Sequence, residues 1–287
     1  MEIVPKLLIV GFGKVAQGIA MALNKNVEVI GIKRNILDLK NHFNVINADI
    51  FEDDLDNILK NTNPDYVLYS IAADEQTPES YQNAYVNGLR NTLKAAEKCL
   101  SVKHIFFLSS TRVYGQKNTN KPLTEFDKPI PADFGGQSLY EGEELANLSR
   151  IPTTIIRLSG IYGHNRNYLI KMAKDSESWP LKNRWTNRIN EEDVVRFFIF
   201  LLNQLKHNYS IASLYLLTDN EPAALYDVLN WIRVACGLSK IDIQDNLAVE
   251  GKKLKSALIS DLPFTLKYPN YISGYGMMLK RLETNKT

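Results

Sequence analysis

The N-terminus joins a short apolar run to a glycine-rich turn and an amphipathic segment, and this arrangement constrains the fold more than any other feature. The run Lys6–Val10 predicts a buried strand, and it leads directly into Gly11-Phe-Gly13-Lys-Val-Ala16. In this GxGxxA spacing, the first glycine permits a tight turn, the second lets a pyrophosphate approach the backbone, and the alanine lets a helix pack closely. The backbone of Lys14 and Val15 would offer N–H groups to the phosphates. A glycine turn without a ligand is the alternative, but the position between strand and helix favours a dinucleotide.

Strand-like and helix-like segments alternate through the first two thirds of the chain. Continuous apolar runs predict strands at 6–10, 27–32, 43–48, 65–70, 102–108 and 153–158. Runs without polar alternation are typical of strands covered on both faces, as in parallel sheets. Amphipathic helices are predicted over 14–24 and 79–99, and such alternation implies right-handed crossovers. The predicted fold class is therefore α/β, a Rossmann-like doubly wound parallel sheet with a smaller C-terminal substrate subdomain.

The last third of the chain has a different pattern. A very apolar helix is expected from about 191 to 205, with Asn190 as its N-cap and Asp193 as a charge in its first turn. A strand over 214–217 follows, and Pro222 then opens a further helix that Gly237 ends.

These patterns predict an NAD(P)-binding Rossmann-like domain over residues 1–160 and a substrate-binding subdomain over 161–287, interleaved with the first. The substrate cleft is expected at the carboxyl ends of the strands. Its walls would come from the long irregular segment Gly115–Gly136 and from residues 163–174 and 181–188.

The end of the second predicted strand indicates which dinucleotide is bound. An acidic residue that reads the ribose 2′-hydroxyl is expected about 20 residues after the glycines, but here the sequence is Ile32-Lys33-Arg34-Asn35. A guanidinium can bind a 2′-phosphate bidentately. Arg34, helped by Lys33, therefore favours NADP(H) over NAD(H), the alternative being two solvated surface cations.

Composition excludes several other classes of function. A net charge of +2 gives no reason to expect a nucleic acid or an anionic membrane as partner, and no apolar stretch approaches the length of a membrane span. The N-terminus lacks the basic region and the long apolar core of a signal peptide. Cys99 and Cys236 are far apart in sequence, which favours a reducing, cytoplasmic setting. The four histidines show no metal-ligand spacing, so no metal site is expected.

Further along the chain, the sequence resembles the NAD-dependent epimerase/dehydratase family of the extended and atypical short-chain dehydrogenases/reductases. The resemblance covers nearly the whole chain and rests on segments in the family's order, namely Tyr85–Asn91 (VNxxGTxN), Leu108–Gly115 (SSxxVYG), Arg157–Gly163 with Asn165 and Arg166 (RxxGxYGPGR), Thr186–Asp193 (NRIHVDD) and the closing segment from Gly251 to Tyr271. It implies cofactor contacts from Asp49, Ile50, Ala72, Ala73, Asn87 and Ser109. It also implies a small-molecule substrate and a possible homodimer through the helices at 79–99 and 138–148.

The family's redox members use a serine or threonine, a tyrosine, and a lysine four residues after the tyrosine. A tyrosine has an ordinary pKa of about 10, so a nearby ammonium is needed to favour the phenolate near neutral pH. Ser110 matches the serine position, with a purely structural strand-end serine as the alternative. None of the fourteen tyrosines has a lysine four residues on.

Two alignments remain for the tyrosine position. Tyr140 is the best candidate by its order and distance from Ser110, although Glu144 then stands where the lysine should be. If Glu143 is instead the glutamate that follows the family's lysine, the tyrosine and lysine positions fall on Gly135 and Leu139. The tyrosine–lysine pair is absent in both alignments, and Tyr140 is either the proton donor or a residue that packs within its helix.

Residues of the second half give weaker expectations. Arg166 either reaches an anionic group of the substrate or is a surface cation. In members that act on nucleotide sugars, an arginine commonly grips the diphosphate four residues before a histidine. Thr186 and Asn190 take these two positions here, which disfavours a nucleotide sugar unless Arg184 or Arg188 compensates.

The sequence therefore leads to two main hypotheses about function. The first is an NAD(P)-dependent, epimerase/dehydratase-like oxidoreductase of a small polar substrate, with Ser110 and Tyr140 as candidate catalytic residues. The second is a non-catalytic NADP(H)-binding sensor or regulatory protein derived from that family, which the missing tyrosine–lysine pair favours. A fold that binds no cofactor is the third.

Overall fold

The structure is a computed structural model that describes residues 4–23, 26–39, 42–117, 119, 121–164, 166–242 and 249–284. It divides into two compact units. The first comprises Met1–Val113, Pro131–Arg157 and Val195–Tyr215, and the second comprises Tyr114–Ile130, Leu158–Val194 and Leu216–Thr287. Each unit is therefore discontinuous in sequence, and residues 195–215 belong to the first unit although they follow the predicted boundary at residue 160.

The described residues form the following strands and α-helices. The strands are β1 Lys6–Val10, β2 Glu28–Lys33, β3 Val45–Asn47, β4 Tyr66–Tyr69, β5 His104–Ser110, β6 Thr153–Leu158, β7 Gly160–Tyr162, β8 Trp185–Thr186, β9 Arg188–Asn190, β10 Leu214–Leu217 and β11 Ala223–Ala224. The α-helices are α1 Lys14–Leu23, α2 Leu55–Thr62, α3 Pro78–Gln82, α4 Gly88–Lys98, α5 Phe134–Asn147, α6 Tyr168–Lys174, α7 Glu191–Lys206, α8 Leu225–Ala235 and α9 Tyr271–Thr284.

A seven-stranded sheet in the order β10-β6-β5-β4-β1-β2-β3 confirms the predicted Rossmann-like α/β fold class. From β3 to β5 the neighbouring strands pair in parallel. The order reverses at β1, which lies between β2 and β4, and such a reversal creates a crevice beyond the carboxyl ends of the strands. The strand residues Leu7–Val10 and Tyr66–Tyr69 are buried, as their continuous apolar runs predict.

Helix α1 follows the glycine turn and packs its apolar stripe inward. Its buried residues are Ala16, Ile19 and Leu23, at the spacing of one helix face. The predicted last residue of this helix, Asn24, lies outside the described residues. Val195 approaches the helix so closely that a Cβ at Gly18 would lie 3.0 Å from its Cγ2.

The long helix predicted over 79–99 is divided in the structure. It begins one residue earlier, at Pro78, and a π-helical turn over Asn83–Asn87 separates α3 from α4. In that turn the Gly88 N–H donates to the carbonyl of Asn83, five residues back. The Tyr69 hydroxyl donates to the carbonyl of Ala84 at 2.5 Å, which satisfies a carbonyl within the turn. A Cβ at Gly88 would lie 2.5 Å from the same hydroxyl, so the glycine permits this approach.

Helix α5 begins at Phe134, four residues before its predicted start at Ser138. The side chain of Asp133 caps it by accepting a hydrogen bond from the Gly136 N–H at 2.8 Å. Two glycines in the first turn lower intrinsic helix propensity, which is why the sequence pattern placed the helix start too late. The irregular segment predicted up to Gly136 is correspondingly shorter.

The second unit has its own core and two small sheets. Strand β7 pairs with β9 in parallel and β8 pairs with β11 antiparallel, while α6, α8 and α9 enclose a cluster that includes Tyr162, Leu229 and Tyr275. The expected caps are present, since Asn190 accepts a hydrogen bond from the Glu192 N–H and Gly237 has φ +77°. Pro222 does not open α8, because β11 intervenes and the helix begins at Leu225. None of the helices in the described part of the chain is long and apolar enough to cross a bilayer.

Candidate functional site

The glycine turn after β1 is held tightly against the neighbouring strands of the first unit. Gly11 adopts φ +94°, a region that favours glycine. A Cβ there would lie 2.6 Å from the backbone nitrogen of Ile71, so a side chain cannot enter without moving the backbone. The N–H groups of Gly11 and Phe12 both donate to the carbonyl of Ile32 at 3.1 Å, and the Ser70 hydroxyl donates to the carbonyl of Gly11 at 2.6 Å.

Gly13 differs from Gly11 in what surrounds it. A Cβ at Gly13 would meet no atom within 4 Å, although the residue lines a cleft. The missing side chain therefore leaves space for a ligand rather than for another part of the protein. The first turn of α1 begins at Lys14, and its N–H groups lack intrahelical acceptors by the geometry of a helix start. The turn thus combines an open approach with donors that suit a pyrophosphate.

This turn opens into a cleft of about 540 Å³, and every residue that lines it belongs to the first unit. The volume is that of a typical small-molecule or cofactor site. Six of the predicted cofactor residues line it, namely Gly11, Gly13, Arg34, Asp49, Ile50 and Ala72. The cleft lies where β1, β2, β3 and β4 end, at the predicted edge of the sheet, but none of the predicted wall segments 115–136, 163–174 and 181–188 is among its described lining residues.

The structure places the other predicted cofactor residues beside the cleft lining rather than in it. Ser109 is buried, and its hydroxyl donates to Glu143 Oε1 at 2.6 Å. Asn87 bonds to its helix neighbours, Asn83 and Arg90. The side chains of Lys14, Val15 and Ala73 are likewise outside the lining residues. The roles of these five residues stay predictions.

One wall of the cleft was missed by sequence reasoning. It consists of the turn after β4 and the start of α3, with Asp74, Glu75, Thr77, Glu79, Ser80, Asn83 and Ala84. Thr77 caps α3 by accepting from the Ser80 N–H at 3.2 Å, and Pro78 occupies the first turn. Threonine followed by proline is a helix-start signal, so the sequence indicated that a helix begins at this point, although not that it lines the cleft.

Arg34 has a carboxylate partner within the cleft. Its Nη2 lies 2.6 Å from Asp74 Oδ2, and both side chains are more than half exposed. The hydrogen bond to Asp74 is the largest cause that raises the pKa of Arg34, and the negative charge of Asp49 adds to it. The predicted reader of the 2′-phosphate is therefore paired with a residue 40 positions later in the sequence.

The two candidate catalytic residues both lie in the first unit, but neither is among the described residues that line the cleft, so their roles stay predictions. Ser110 ends β5, and its hydroxyl oxygen accepts a hydrogen bond from the Arg112 N–H at 3.2 Å. Tyr140 lies in α5, where partial burial raises the pKa of its phenol and the nearby Glu144 carboxylate raises it further. A raised pKa disfavours the phenolate, so this environment does not help Tyr140 to act as a base, and it also makes the phenol a weaker proton donor.

The second alignment, with Gly135 and Leu139 at the tyrosine and lysine positions, leads to a different environment. A Cβ at Gly135 would lie 2.4 Å from Arg112 Cζ, so the guanidinium fills the space that a side chain would need. Arg112 donates to Asp133 at 3.0 Å and to the Tyr81 hydroxyl at 2.6 Å. Leu139 is 2 % exposed and belongs to the core.

Glu143, the third residue of that alignment, forms a buried ion pair. Its carboxylate accepts from Arg157 Nε at 3.0 Å and 3.1 Å and from Arg157 Nη2 at 2.6 Å. The two side chains are 2 % and 5 % exposed. Together with the bond from Ser109, the pair ties α5 to β5 and β6 in the first unit.

Arg184, one candidate for substrate binding in the second unit, is exposed, whereas the other two candidate arginines have structural partners. Arg188 is 3 % exposed and donates to the carbonyl of Thr186 at 3.2 Å, so it does not compensate for a missing diphosphate ligand. Arg166 pairs with Glu191 at 3.1 Å. Asp193 is buried, and it accepts hydrogen bonds from the backbone N–H groups of Lys267 and Tyr268, a role beyond the predicted helix charge.

A buried carboxyl follows β10 in the second unit. Asp219 is 1 % exposed, and its Oδ2 lies 3.9 Å from Arg188 Nη1, beyond hydrogen-bonding distance. Burial raises the pKa of Asp219 to about 7, against the lowering effect of Arg188, and Glu221 adds a further raising effect. The Tyr162 and Tyr275 phenols also face this carboxyl.

We expect this carboxyl to make stability depend on pH. The pKa of Asp219 in the folded protein lies above its unfolded value of about 3.9. Its contribution to the free energy of unfolding is therefore fully present below a pH of about 3.9 and is lost as the pH rises through about 7. Relative to Asp219→Asn, the wild type should therefore lose stability between pH 5 and 7, by about 1.4 kcal/mol per pH unit at most. Urea unfolding of both proteins at several pH values measures this difference.

The wild type must be compared with a variant because a second buried group changes stability with pH in the opposite direction. Burial lowers the pKa of His104 to about 4, so its contribution to stability is lost as the pH falls. Subtracting the Asp219→Asn curve cancels this background. Asp261→Asn, at an exposed carboxyl of the same unit that does not affect the pKa of Asp219, should keep the wild-type slope, and an Asp219→Asn curve parallel to the wild type would contradict the assignment.

The chain is similar to one family model and to solved structures over most of its length. The family model of the RmlD substrate binding domain matches residues 5–271. A solved structure from Methylobacillus flagellatus, provisionally described as an NAD-dependent epimerase/dehydratase, is 36 % identical, with a TM-score of 0.88 over 98 % of this chain and 100 % of that one. UDP-glucuronic acid 4-epimerase from Bacillus cereus in complex with NAD shares the fold at 21 % identity, with a TM-score of 0.75 over 94 % of this chain and 95 % of that one.

A curated relative matches over a shorter region. The spore coat polysaccharide biosynthesis protein SpsK of Bacillus subtilis is 33 % identical over 119 residues. The match spans 40 % of this chain and 42 % of that protein, so it covers less than half of the relative's length.

Proposed function

The chain belongs to the RmlD substrate binding domain family, and from this premise we propose that it is an NAD(P)-dependent, epimerase/dehydratase-like oxidoreductase of a small polar substrate. The observation that carries the proposal is the cleft of about 540 Å³, which joins the glycine turn, the start of α1 and Arg34 in one unit. The space beside Gly13 fits a pyrophosphate, because a Cβ there would meet nothing within 4 Å. A bound nicotinamide would supply the hydride acceptor or donor.

The dinucleotide is held by backbone groups at one end and by side chains at the other. The N–H groups at the start of α1 suit the pyrophosphate charge, and Gly11 keeps the turn close to Ile71. We propose NADP(H) as the preferred dinucleotide on the basis of Arg34, whose guanidinium is suited to a 2′-phosphate. A cytoplasmic location and a homodimer remain predictions from the sequence.

In the proposed reaction Ser110 holds the substrate oxygen and Tyr140 supplies its proton. The raised pKa of Tyr140 disfavours its phenolate, so we propose the reductive direction, in which the protonated phenol gives its proton to the oxygen as the carbon gains hydride. The polysaccharide-related name of SpsK and the sugar-nucleotide substrates in the names of fold neighbours favour a polyhydroxylated substrate. Arg188 is buried, which disfavours a role for it as the arginine that grips the diphosphate of a nucleotide sugar.

The alternative is a sensor that binds the dinucleotide without turnover. It is favoured by one observation, namely that Arg112 occupies the space at Gly135 while Leu139 is buried in the core. The second alignment, like the first, therefore offers no tyrosine–lysine pair that could form a phenolate. In this hypothesis the dinucleotide would change the stability or the partners of the protein, without chemistry.

Hydride transfer with a panel of carbonyls and alcohols separates the two functions. We expect turnover, followed by the absorbance of the reduced nicotinamide, and a loss of about 10²-fold or more in Ser110→Ala and in Tyr140→Phe. Tyr209→Phe, at an exposed tyrosine, serves as the matched control. Binding of NADPH without any turnover favours the sensor, and the absence of binding overturns both functions.

A further inference from the structure

The mouth of the dinucleotide cleft contains a pair of opposite charges contributed by two different strand ends. Arg34 follows β2 and Asp74 follows β4, and their Nη2 and Oδ2 atoms are 2.6 Å apart. Both residues line the cleft. The position after β2 is where Rossmann folds read the ribose that carries the 2′ group. Asp74 therefore brings to this position the carboxylate that the β2 sequence lacks.

The charge around the pair opposes a phosphate. Among the described residues that line the cleft, four carry carboxylates, namely Asp49, Asp74, Glu75 and Glu79, and two carry cations, Lys33 and Arg34. A 2′-phosphate would need the guanidinium that Asp74 already holds, and it would approach that carboxylate as a like charge. A ribose 2′-hydroxyl carries no charge and donates a hydrogen bond, so it is compatible with a carboxylate.

We propose that Asp74 sets the dinucleotide specificity of the cleft, accepting from the ribose hydroxyls of NAD(H) and holding Arg34 away from the 2′-phosphate of NADP(H). The inference rests on the proposed dinucleotide binding, and it adds to it the residue that limits the expected preference for NADP(H). Arg34 and Asp74 act as one unit, because the availability of the cation depends on the carboxylate. The exposure of both side chains allows either partner to turn to a ligand.

The test is a titration of wild type, Asp74→Asn and Arg34→Ala with NADPH and with NADH, followed by nicotinamide fluorescence. In Asp74→Asn we expect the ratio of NADPH to NADH affinity to rise about tenfold, and the rise to shrink at high salt because both groups are exposed. In an Arg34→Ala background the same Asp74 substitution should still raise the ratio, but less than in the wild type, since the part of its effect that acts through the guanidinium is lost and only the direct contacts of Asp74 with the ligand remain.

Asp56→Asn is the matched control, because it makes the same change in another exposed ion pair of the first unit, with Lys98, that is outside the cleft lining. It should leave the ratio within about threefold, and thermal melts should report an unchanged fold for all these exposed substitutions. Binding of both dinucleotides with an unchanged ratio in Asp74→Asn overturns the inference alone. Failure of the wild type to bind either dinucleotide overturns the proposed function and this inference with it.

Discussion

Replacing Gly13 by valine is expected to abolish dinucleotide binding while the protein stays folded. A Cβ at this position would meet no described atom within 4 Å, and the residue lines the cleft, so we expect the valine to clash with the ligand and not with the protein. Since the second glycine of the turn is where a pyrophosphate approaches the backbone, we expect a loss of affinity of about 100-fold or more. The measurements are an NADPH and NADH titration and a urea unfolding curve of the same variant.

Gly11→Ala is the informative comparison, because a substitution at Gly11 should lower stability whereas one at Gly13 should lower dinucleotide affinity. At Gly11 a Cβ would lie 2.6 Å from the Ile71 nitrogen, and the residue has φ +94°. Strain of this kind costs about 1–3 kcal/mol, so Gly11→Ala should lower stability, whereas Gly13→Val should change it by less than about 1 kcal/mol. If Gly13→Val binds either dinucleotide as the wild type does, the cleft is not the dinucleotide site.

Truncating Glu143 to alanine should cause the largest loss of stability among the substitutions considered for this chain. The variant removes the carboxylate that faces Arg157 and leaves the guanidinium in a site where the side chain is 5 % exposed. Breaking a buried pair by removing one partner costs about 3–5 kcal/mol, a large fraction of the 5–15 kcal/mol typical of a whole domain. Urea unfolding at pH 7 measures the change.

Glu141→Ala provides the control on the same helix. Its carboxylate lies 4.0 Å from Arg90 Nη2, and the side chains are 41 % and 38 % exposed. Exposed pairs contribute about 0–1 kcal/mol, so the two glutamates, two residues apart, should differ several-fold in effect. Equal losses in the two variants would contradict the assignment of Glu143 as the buried anchor of α5.

The fold was predictable from the sequence because its signals are local. Runs of buried residues such as Leu7–Val10, the helix stripe of Ala16, Ile19 and Leu23, and the cap at Asn190 all depend on neighbours a few residues away. The errors arose where tertiary contacts decide. The π-helical turn before Gly88 is accompanied by a hydrogen bond from Tyr69, which belongs to another strand.

The candidate site shows the same difference between features that a local sequence pattern sets and features that depend on residues distant in sequence. The glycine turn and the residues after β2 and β3 were found from the sequence, and they line one cleft in the structure. The wall formed by α3 was missed, because its residues reach the cleft only through the adjacency of β4 to β1. Two alignments for the tyrosine position, on Tyr140 and on Gly135, remained open in the sequence for a related reason. Spacing alone does not reveal that Arg112 fills the space beside Gly135.

By itself, the sequence determined the α/β class, the place of the glycine turn and the absence of a tyrosine–lysine pair. These follow from periodicity and spacing, which the backbone translates directly into local structure. Only the tertiary structure decided that Arg34 meets Asp74 and that Arg157 meets Glu143. A parallel sheet gathers the carboxyl ends of strands that are distant in sequence, so the partner of each charged side chain depends on strand order, which no local pattern encodes.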